Sequence, residues 1–222
     1  MPFSVPIFDE VTKAIVQMLS PQRVLDVGCG AGKHGELVRA AMPTVNLIGI
    51  EVEQSYVERF KLNLTYDCVR SIDATKLITT DIEERYDLVI IGDCIEHLPK
   101  SAALDLLNFL AYRSAYTLVI CPESVVQDSV EGVQSEAHIS VWSARDFEWH
   151  DLWATTSIMQ MMLFILRGYP QYPVALPDLV QQINRLELPL RARKFSKTCR
   201  LELENRVRTE LVDGKSLSFR CL

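Results

Sequence analysis

The sequence lacks several features that would place the protein in other classes. None of its six cysteines forms a C-x-x-C pair, so we do not expect a zinc knuckle. Its most apolar window, residues 158–166, is roughly half the length that crosses a bilayer. Asp9, Glu10 and Lys13 interrupt the N-terminal segment, which excludes a secretory signal pattern there. We therefore expect a cytoplasmic protein that does not associate with membranes.

The charge balance also lacks a basic excess. Lysine and arginine number 23 against 29 aspartates and glutamates, which gives a formal net charge of -6. General nucleic-acid binders normally carry the opposite sign, so a nucleic-acid partner is not favoured. Hydrophobic residues make up 48% of the chain and charged residues 23%, the usual balance of a folded globular protein.

Strand and helix patterns alternate through the first three quarters of the chain. Apolar runs predict strands at residues 23–27, 46–50, 68–72, 86–92 and 116–121. Helical periodicity predicts helices at residues 8–19, 33–41, 54–64, 101–112 and 143–152. Residues 154–167 fit either two short strands or one helix. This alternation predicts an α/β fold with a doubly wound, mostly parallel sheet and helices on both of its faces.

A change of pattern near residue 168 predicts a division of the chain into a domain, 1–168, and a C-terminal extension, 169–222. Gly168, Pro170 and Pro173 separate the two parts. The extension predicts a helix at 177–188 and a β-hairpin around Asp213-Gly214. Between them lies a basic run formed by Arg191, Arg193, Lys194, Lys197 and Arg200. This run could contact a phosphate-bearing substrate or nucleic acid. The preferred expectation is a solvated face or an arm that reaches a second subunit, so a homodimer is a further expectation.

A glycine-rich turn follows the first predicted strand. Gly28, Gly30 and Gly32 allow the backbone to turn sharply and to approach a ligand closely. Residues 30–35 also fit G-x-G-x-x-G, the pyrophosphate turn of dinucleotide enzymes. That turn would begin several residues beyond the strand, however, and Asp26 would repel a pyrophosphate. An acidic residue at this place suits a cofactor that carries an ammonium group.

Here the chain resembles the class I S-adenosylmethionine-dependent methyltransferases over about residues 8–168. Their first motif, an acidic residue followed by G-x-G-x-G, matches Asp26, Gly28, Gly30 and Gly32. The resemblance implies a seven-stranded Rossmann-like sheet and S-adenosylmethionine as cofactor, with the glycine turn holding its methionine portion.

Three more acidic residues follow the next strands in the order that this family shows. The resemblance implies that Glu51 binds the ribose hydroxyls and that Asp73 contacts the adenine amino group. It places Asp93 in the cleft shared by cofactor and substrate. Asp73 alone also fits a turn or helix cap.

The segment after the fourth strand carries the residues that could handle a proton. Asp93-Cys94-Ile95-Glu96-His97-Leu98 resembles the acidic-x-x-Glu-His-Leu stretch of the branch that methylates small metabolites, sugars and lipid precursors. Methyl transfer by in-line displacement needs alignment above all, and a hydroxyl acceptor can also need a base. His97, His138 and Asp93 are the catalytic candidates. His97 also fits a positioning role, and His138 a cap of the following helix.

Two other functions compete with a small-molecule oxygen methyltransferase. The set Asp93, Glu96, His97 and His138 is similar to the Glu-x-x-Glu-His plus distant His of the small-RNA 3′-terminal 2′-O-methyltransferases, which hold a divalent cation. Asp93 is shorter than the glutamate in that family, and the chain is acidic, so no metal is the preferred expectation. A non-catalytic partner subunit is the second alternative, and the intact glycine motif opposes it.

The loop over residues 122–142 is expected to select the substrate. It leaves the fifth strand on the side where ligands bind in such sheets. Its carboxylates, Glu123, Asp128, Glu131 and Glu136, favour a cationic or polyhydroxyl acceptor. We expect this loop to act as a lid or as a polar wall of the substrate pocket.

Overall fold

The computed structural model describes residues 5–130, 132–192, 194–212 and 214–220, with the side chains of 207–212 and 215–220 left out of the description. Its main sheet has eight strands in the order β10-β6-β7-β5-β4-β1-β2-β3. These strands are β1 (Arg23–Val27), β2 (Asn46–Ile50), β3 (Cys68–Arg70), β4 (Tyr86–Gly92), β5 (Ser114–Pro122), β6 (Leu152–Ile158), β7 (Met161–Arg167) and β10 (Glu202–Asn205). Strands β1 to β5 pair in parallel, and β7 and β10 run antiparallel to their neighbours. The predicted doubly wound α/β fold is confirmed.

The eighth strand differs from the seven predicted, and it comes from the C-terminal extension. Glu202 pairs with Thr155 and Asn205 with Leu152, so β10 covers the edge of β6. The sequence pattern runs on without a break from residue 201 to 212, which predicts one long hairpin arm. The structure divides this stretch at Arg206 into β10 and β11. Alternating residues fit any sheet edge equally well, so periodicity alone could not assign the first half to the main sheet.

Helices cover both faces of the sheet because its central strands are apolar on both sides. The helices are α1 (Asp9–Leu19), α2 (Lys33–Ala41), α3 (Gln54–Arg59), α4 (Leu77–Thr80), α5 (Lys100–Ala111) and α6 (Leu176–Arg185). Apolar side chains of α1, α2 and α6 form one core layer, and those of α4 and α5 form the other. The helices predicted at 8–19, 33–41 and 101–112 are confirmed. The one predicted at 54–64 ends at Arg59 and is followed by a 3₁₀ turn, Leu62–Leu64, and the one predicted at 143–152 is a single 3₁₀ turn, Ala144–Phe147. Ser143 caps that turn, so the capping role considered for His138 is wrong.

The remaining strands form two small hairpins in the extension. They are β8 (Pro189–Ala192) with β9 (Phe195–Thr198), and β11 (Val207–Val212) with β12 (Lys215–Arg220). Val212 pairs with Lys215, which confirms the hairpin predicted around Gly214, while Asp213 lies outside the described residues. The basic run lies on and after the first hairpin, and four of its residues are exposed: Arg191, Lys194, Lys197 and Arg200. Its fifth residue, Arg193, lies outside the described residues, as does Glu131 of the 122–142 loop. Within the described ranges, no helix has the length and apolar character needed to cross a membrane.

Candidate active site

A cavity of about 900 Å³ opens at the carboxyl ends of β1, β2 and β4. This is the end of a parallel sheet where ligands bind, because successive loops diverge there. The cavity brings together most of the residues predicted from the sequence: Gly28, Gly30, Glu51, Asp73, Asp93, Glu96, His97 and His138. Asp26 and Gly32 lie behind this wall and support it.

The glycine turn has the backbone conformation that its sequence predicts. Gly28, Gly30 and Gly32 have φ values of 73°, 51° and 87°, a region that other residues adopt only with strain. The amides of Gly28 and Cys29 both donate to the carbonyl of Ile50, at 2.8 and 3.0 Å, which ties the turn to the end of β2. The turn is therefore a rigid, concave surface against which a ligand can lie closely.

Asp26 is fully buried beneath this turn. The Tyr66 hydroxyl donates to its Oδ2 at 2.5 Å, and the same hydroxyl accepts from the Gly35 amide at 3.1 Å. Burial raises the pKa of Asp26 to about 7, although the Tyr66 hydrogen bond opposes that rise. Asp26 thus holds the first turn of α2 through Tyr66, and its predicted contact with the cofactor ammonium stays a prediction.

Glu51 joins the glycine turn to the start of α3. Its carboxylate accepts from the Gly30 amide at 2.7 Å and from the Glu53 amide at 2.9 Å. Burial raises its pKa, and these two hydrogen bonds oppose the rise. The carboxylate faces the cavity at the place where the resemblance puts the ribose hydroxyls.

Asp73 caps the 3₁₀ turn Ala74–Lys76, the alternative role that its sequence position allows. Its Oδ1 accepts from the Thr75 amide at 2.8 Å and from the Thr75 hydroxyl at 2.7 Å. It also lines the cavity, so its predicted contact with adenine is compatible with the cap and stays a prediction.

The segment after β4 carries two neighbouring carboxyl groups. Asp93 has a φ of 49°, an unusual conformation for a residue with a side chain, and its amide donates to Ile120 at 2.8 Å. Burial, followed by the charge of Asp93, raises the pKa of Glu96 well above its ordinary value. The Glu96 Oε2 atom finds no hydrogen-bond partner among the described residues. A cation beside this carboxyl group would oppose the rise in its pKa.

His97 and His138 both line the cavity, and each holds its Nδ1 atom against a backbone carbonyl. The Nδ1 atom of His97 lies 3.0 Å from the carbonyl of Ala137, and that of His138 lies 3.2 Å from the carbonyl of Val125. Because a carbonyl oxygen only accepts, each Nδ1 carries a proton, and in the neutral form of either ring the lone pair lies on Nε2. The two rings meet edge to face with their centroids 5.0 Å apart. Burial lowers the pKa of His97, so its imidazole is neutral near pH 7.

Glu96, His97 and His138 form a group that could hold a metal ion. One ligand atom from each residue lies within 4.8 Å of the other two. Asp93, the fourth residue of the predicted metal set, lines the same cavity but falls outside this group. A carboxylate with two imidazoles suits a divalent cation in an open site.

A family model described as a methyltransferase domain matches residues 24–111, from β1 to the end of α5. This part of the chain therefore matches a methyltransferase domain, and solved methyltransferases with S-adenosylhomocysteine bound have the same fold. The match favours S-adenosylmethionine over a nicotinamide dinucleotide for the glycine turn. No curated protein matches the chain.

Solved structures share the fold of this chain at low sequence identity. The N-terminal domain of EvdMO1, with S-adenosylhomocysteine bound, has a TM-score of 0.55 and 16% identity, and the match covers 74% of this chain and 82% of that one. The plantazolicin methyltransferase BpumL, in complex with S-adenosylhomocysteine, has a TM-score of 0.55 and 14% identity, and the match covers 73% of this chain and 85% of that one. An O-methyltransferase family protein from Burkholderia thailandensis has a TM-score of 0.53 and 12% identity, and the match covers 72% of this chain and 55% of that one.

Two features of the methyltransferase site escaped the sequence analysis. His34 lines the cavity from the first turn of α2, and in the sequence it occupies only a variable position of the G-x-G-x-x-G pattern. A pair of hydrogen bonds joins the 122–142 loop to the start of α3: Tyr56 donates to Glu136 at 3.0 Å, and Ser135 donates to Glu53 at 2.6 Å. No signal in the sequence marks such long-range pairs.

Proposed function

We propose that the methyltransferase transfers a methyl group to an oxygen atom of a small-molecule acceptor. The observation that carries this proposal is the continuity of the cavity, which joins the glycine turn and Glu51 to His97 and His138. Its volume of about 900 Å³ lies in the upper part of the range of small-molecule sites. A cofactor and a modest acceptor can therefore share it.

The residues of the cavity fit the cofactor and the transfer. The concave glycine turn and the Glu51 carboxylate offer surfaces for the methionine and ribose portions. S-adenosylmethionine, when bound, supplies a methyl group on a sulfonium, and the acceptor oxygen displaces the sulfur in line. His97 can take the hydroxyl proton on Nε2 as the new carbon–oxygen bond forms, because its Nδ1 proton is held by Ala137. His138 lies beside it as the alternative base.

The 122–142 loop gives the cavity a polar wall, which supports a polar acceptor. Gln127, Gln134 and Glu136 of the 122–142 loop line the cavity, and their amide and carboxylate groups suit hydroxyl-rich or cationic molecules. We place the reaction in the cytoplasm because the cysteines that the structure describes, Cys29, Cys68, Cys94, Cys121 and Cys199, are all free thiols.

A second candidate function is metal-dependent methylation of the 2′-oxygen of a 3′-terminal ribose in RNA. The grouping of Glu96, His97 and His138 favours it, because their ligand atoms converge and Glu96 Oε2 finds no partner in the described part of the chain. In that case the two Nε2 lone pairs would bind the cation instead of a proton.

One set of measurements tests both candidates. Calorimetry with S-adenosylhomocysteine establishes cofactor binding, and methyl-labelled S-adenosylmethionine then reports transfer. One set of acceptors is a panel of phenols and polyhydroxyl compounds. The other is a short RNA, with its 2′-deoxy-ended counterpart as control. Each acceptor is tested once with EDTA and once with Mn²⁺, and we expect methyl transfer to small molecules even when EDTA has removed divalent metals. Labelling of the RNA, but not of its deoxy-ended control, in Mn²⁺ alone would establish the second candidate instead. A folded protein that gives no heat with S-adenosylhomocysteine would refute both.

A further inference from the structure

One side of the cavity is apolar and comes from three separate parts of the chain. Ile7 precedes α1, Met161 begins β7 and Ala192 ends β8 of the C-terminal extension, and all three border the cavity. Ile7 and Ala192 belong to the core layer of α1, α2 and α6, and Met161 packs against it. Val5 and Met159 also border the cavity, and their surfaces are 53% and 52% exposed. These five residues, here called the apolar wall, continue the core layer to the cavity and its rim.

Met159 occupies a backbone position that does not suit methionine. Ile158 pairs with Met161, so Met159 and Gln160 form the two-residue turn between β6 and β7. Met159 has a φ of 54°, a conformation that glycine, asparagine and aspartate adopt at lower cost in such turns. Strain of this kind collects at sites where the side chain serves a function. The turn itself therefore does not explain why a methionine stands here.

The strained turn is held at the rim of the cavity. The Gln160 carbonyl accepts from the amide of Glu123 at 2.6 Å, directly after β5. Met159 therefore keeps a half-exposed apolar side chain beside whatever fills the cavity. A methionine side chain is flexible and polarizable, so it adapts to apolar surfaces of different shapes.

The position of the wall indicates what covers it. Apolar surface is stabilised when another apolar group excludes water from it. Phe195, which is 60% exposed, pairs with Ala192, and paired residues of a hairpin project to the same side, so an aromatic ring extends the wall. The wall borders the same cavity as His97 and His138. An acceptor whose hydroxyl reaches these two rings can therefore lay the rest of its body on the wall.

The acceptor also meets polar groups in this cavity. Gln127 and Glu136 of the 122–142 loop line it together with the apolar wall. A wholly polar compound would leave the apolar wall in contact with water. A wholly apolar compound would leave the amide and carboxylate groups without partners, which costs free energy. A molecule with one polar and one apolar part satisfies both surfaces.

We propose that the acceptor is an amphipathic hydroxyl compound whose apolar body lies on the apolar wall, with Met159 as the residue that selects for it. This proposal rests on the proposed function and narrows its substrate class. Met159 determines specificity here, and it takes no part in the transfer of the proton or the methyl group.

The test uses the full chain saturated with S-adenosylhomocysteine, so that the acceptor part of the cavity stays open. The probe is N-phenyl-1-naphthylamine, a neutral compound whose fluorescence rises in apolar surroundings, and its titration gives a dissociation constant. Phenol and 4-butylphenol then compete with the probe; they share the hydroxyl and differ only in the apolar body. We expect 4-butylphenol to bind at least about tenfold more tightly than phenol, because its butyl chain is buried on the wall.

Met159→Asn separates the role of the side chain from that of the backbone. Asparagine tolerates a positive φ better than methionine does, so the melting temperature of the unliganded protein should stay the same or rise. The probe should nevertheless bind about tenfold more weakly, and 4-butylphenol should lose most of its advantage over phenol. Met159→Leu keeps an apolar side chain and should bind the probe within about twofold of the wild type. Leu64→Asn, at an exposed leucine that does not border the cavity, is the matched control and should leave binding unchanged.

Four outcomes would overturn the proposal. A wild type that gives heat with S-adenosylhomocysteine but does not bind the probe has no apolar acceptor site, and its cofactor assignment stands. Equal binding of the probe by the wild type and Met159→Asn would remove Met159 from specificity. A wild type that elutes as a dimer, with Met159→Asn eluting as a monomer, would show that a second copy covers the wall. A folded protein that gives no heat with S-adenosylhomocysteine would overturn the proposed function as well.

Discussion

At the scale of single residues, the orientation of His97 decides what it can do. Its Nδ1 proton points to Ala137, and this leaves the Nε2 lone pair toward the cavity. Burial is the largest influence on its pKa and acts downward, which keeps the ring in the form that accepts a proton. The same features would serve a metal ligand, so the pH dependence and the metal dependence of the activity must be measured together.

The pH profile of His97 follows from the sign of its pKa shift. The base is neutral above its pKa, and that pKa lies below the ordinary 6.5, so kcat should be flat from neutral pH upward and fall only in acid. His97→Gln keeps a polar side chain and removes the base, which should lower kcat by about 10²-fold or more. The Kd for S-adenosylhomocysteine should stay unchanged. An unaltered kcat in His97→Gln would contradict this role, and His150→Gln is the matched control.

The sequence predicted the site residues that follow strands and missed those that depend on packing. Glu51, Asp73 and Asp93 follow parallel strands, and such strands end at one edge of a sheet, so their convergence could be foreseen. His34 has no such mark, because only its burial and its missing partners in the folded chain distinguish it. The buried position of Asp26 depends on Tyr66, which lies forty positions away in the sequence.

At the scale of elements, the 122–142 loop is fastened over the cavity on the side of Glu51. A 3₁₀ turn, Gln134–Glu136, places Ser135 against Glu53 and Glu136 against Tyr56. The other end of the loop is held below, where the amides of Ile139 and Ser140 donate to the Glu96 carbonyl. The loop thus joins the segment that carries Glu51 to the segment that carries His97, which is the arrangement expected of a lid.

Loosening this connection should speed cofactor exchange. Tyr56→Phe combined with Ser135→Ala removes both side-chain hydrogen bonds at the 3₁₀ turn. We expect S-adenosylhomocysteine to dissociate about tenfold faster in stopped-flow fluorescence, given the usual strength of two such bonds. The melting temperature should change little, because the turn is not part of the core. Tyr112→Phe, at an exposed tyrosine outside the cavity wall, is the control. An unchanged dissociation rate in the double variant would show that the loop does not limit release.

At the scale of the whole molecule, the extension shares the core of the domain. Leu176, Leu179 and Ile183 of α6, with Leu190 and Leu201 beyond it, are buried in the same layer as α1. The boundary predicted near residue 168 follows the punctuation of the sequence, and that punctuation marks turns as readily as domain limits. Sequence patterns therefore gave the elements of the extension, and only the folded chain shows which surface they cover.

Removing the extension should prevent folding. A fully buried leucine or isoleucine contributes about 1.5–3 kcal/mol, so losing these five would remove about as much as the whole stability of a typical domain. We expect residues 1–168 alone to be insoluble or to lack a cooperative transition in circular dichroism. Leu179→Ala in the full chain should still fold, with its free energy of unfolding lowered by about 2–5 kcal/mol. A fragment 1–168 that melts cooperatively and binds S-adenosylhomocysteine would establish the predicted division instead.

The added strand β10 also determines how this surface meets other proteins. Glu202 and Glu204 are exposed along it, and among the described residues no strand pairs with its outer side. A second copy that docked here strand against strand would bring glutamates of both chains together, and their repulsion would oppose the contact. We therefore expect the charge on this short strand to oppose edge-linked aggregation, and we expect any homodimer to use a different surface.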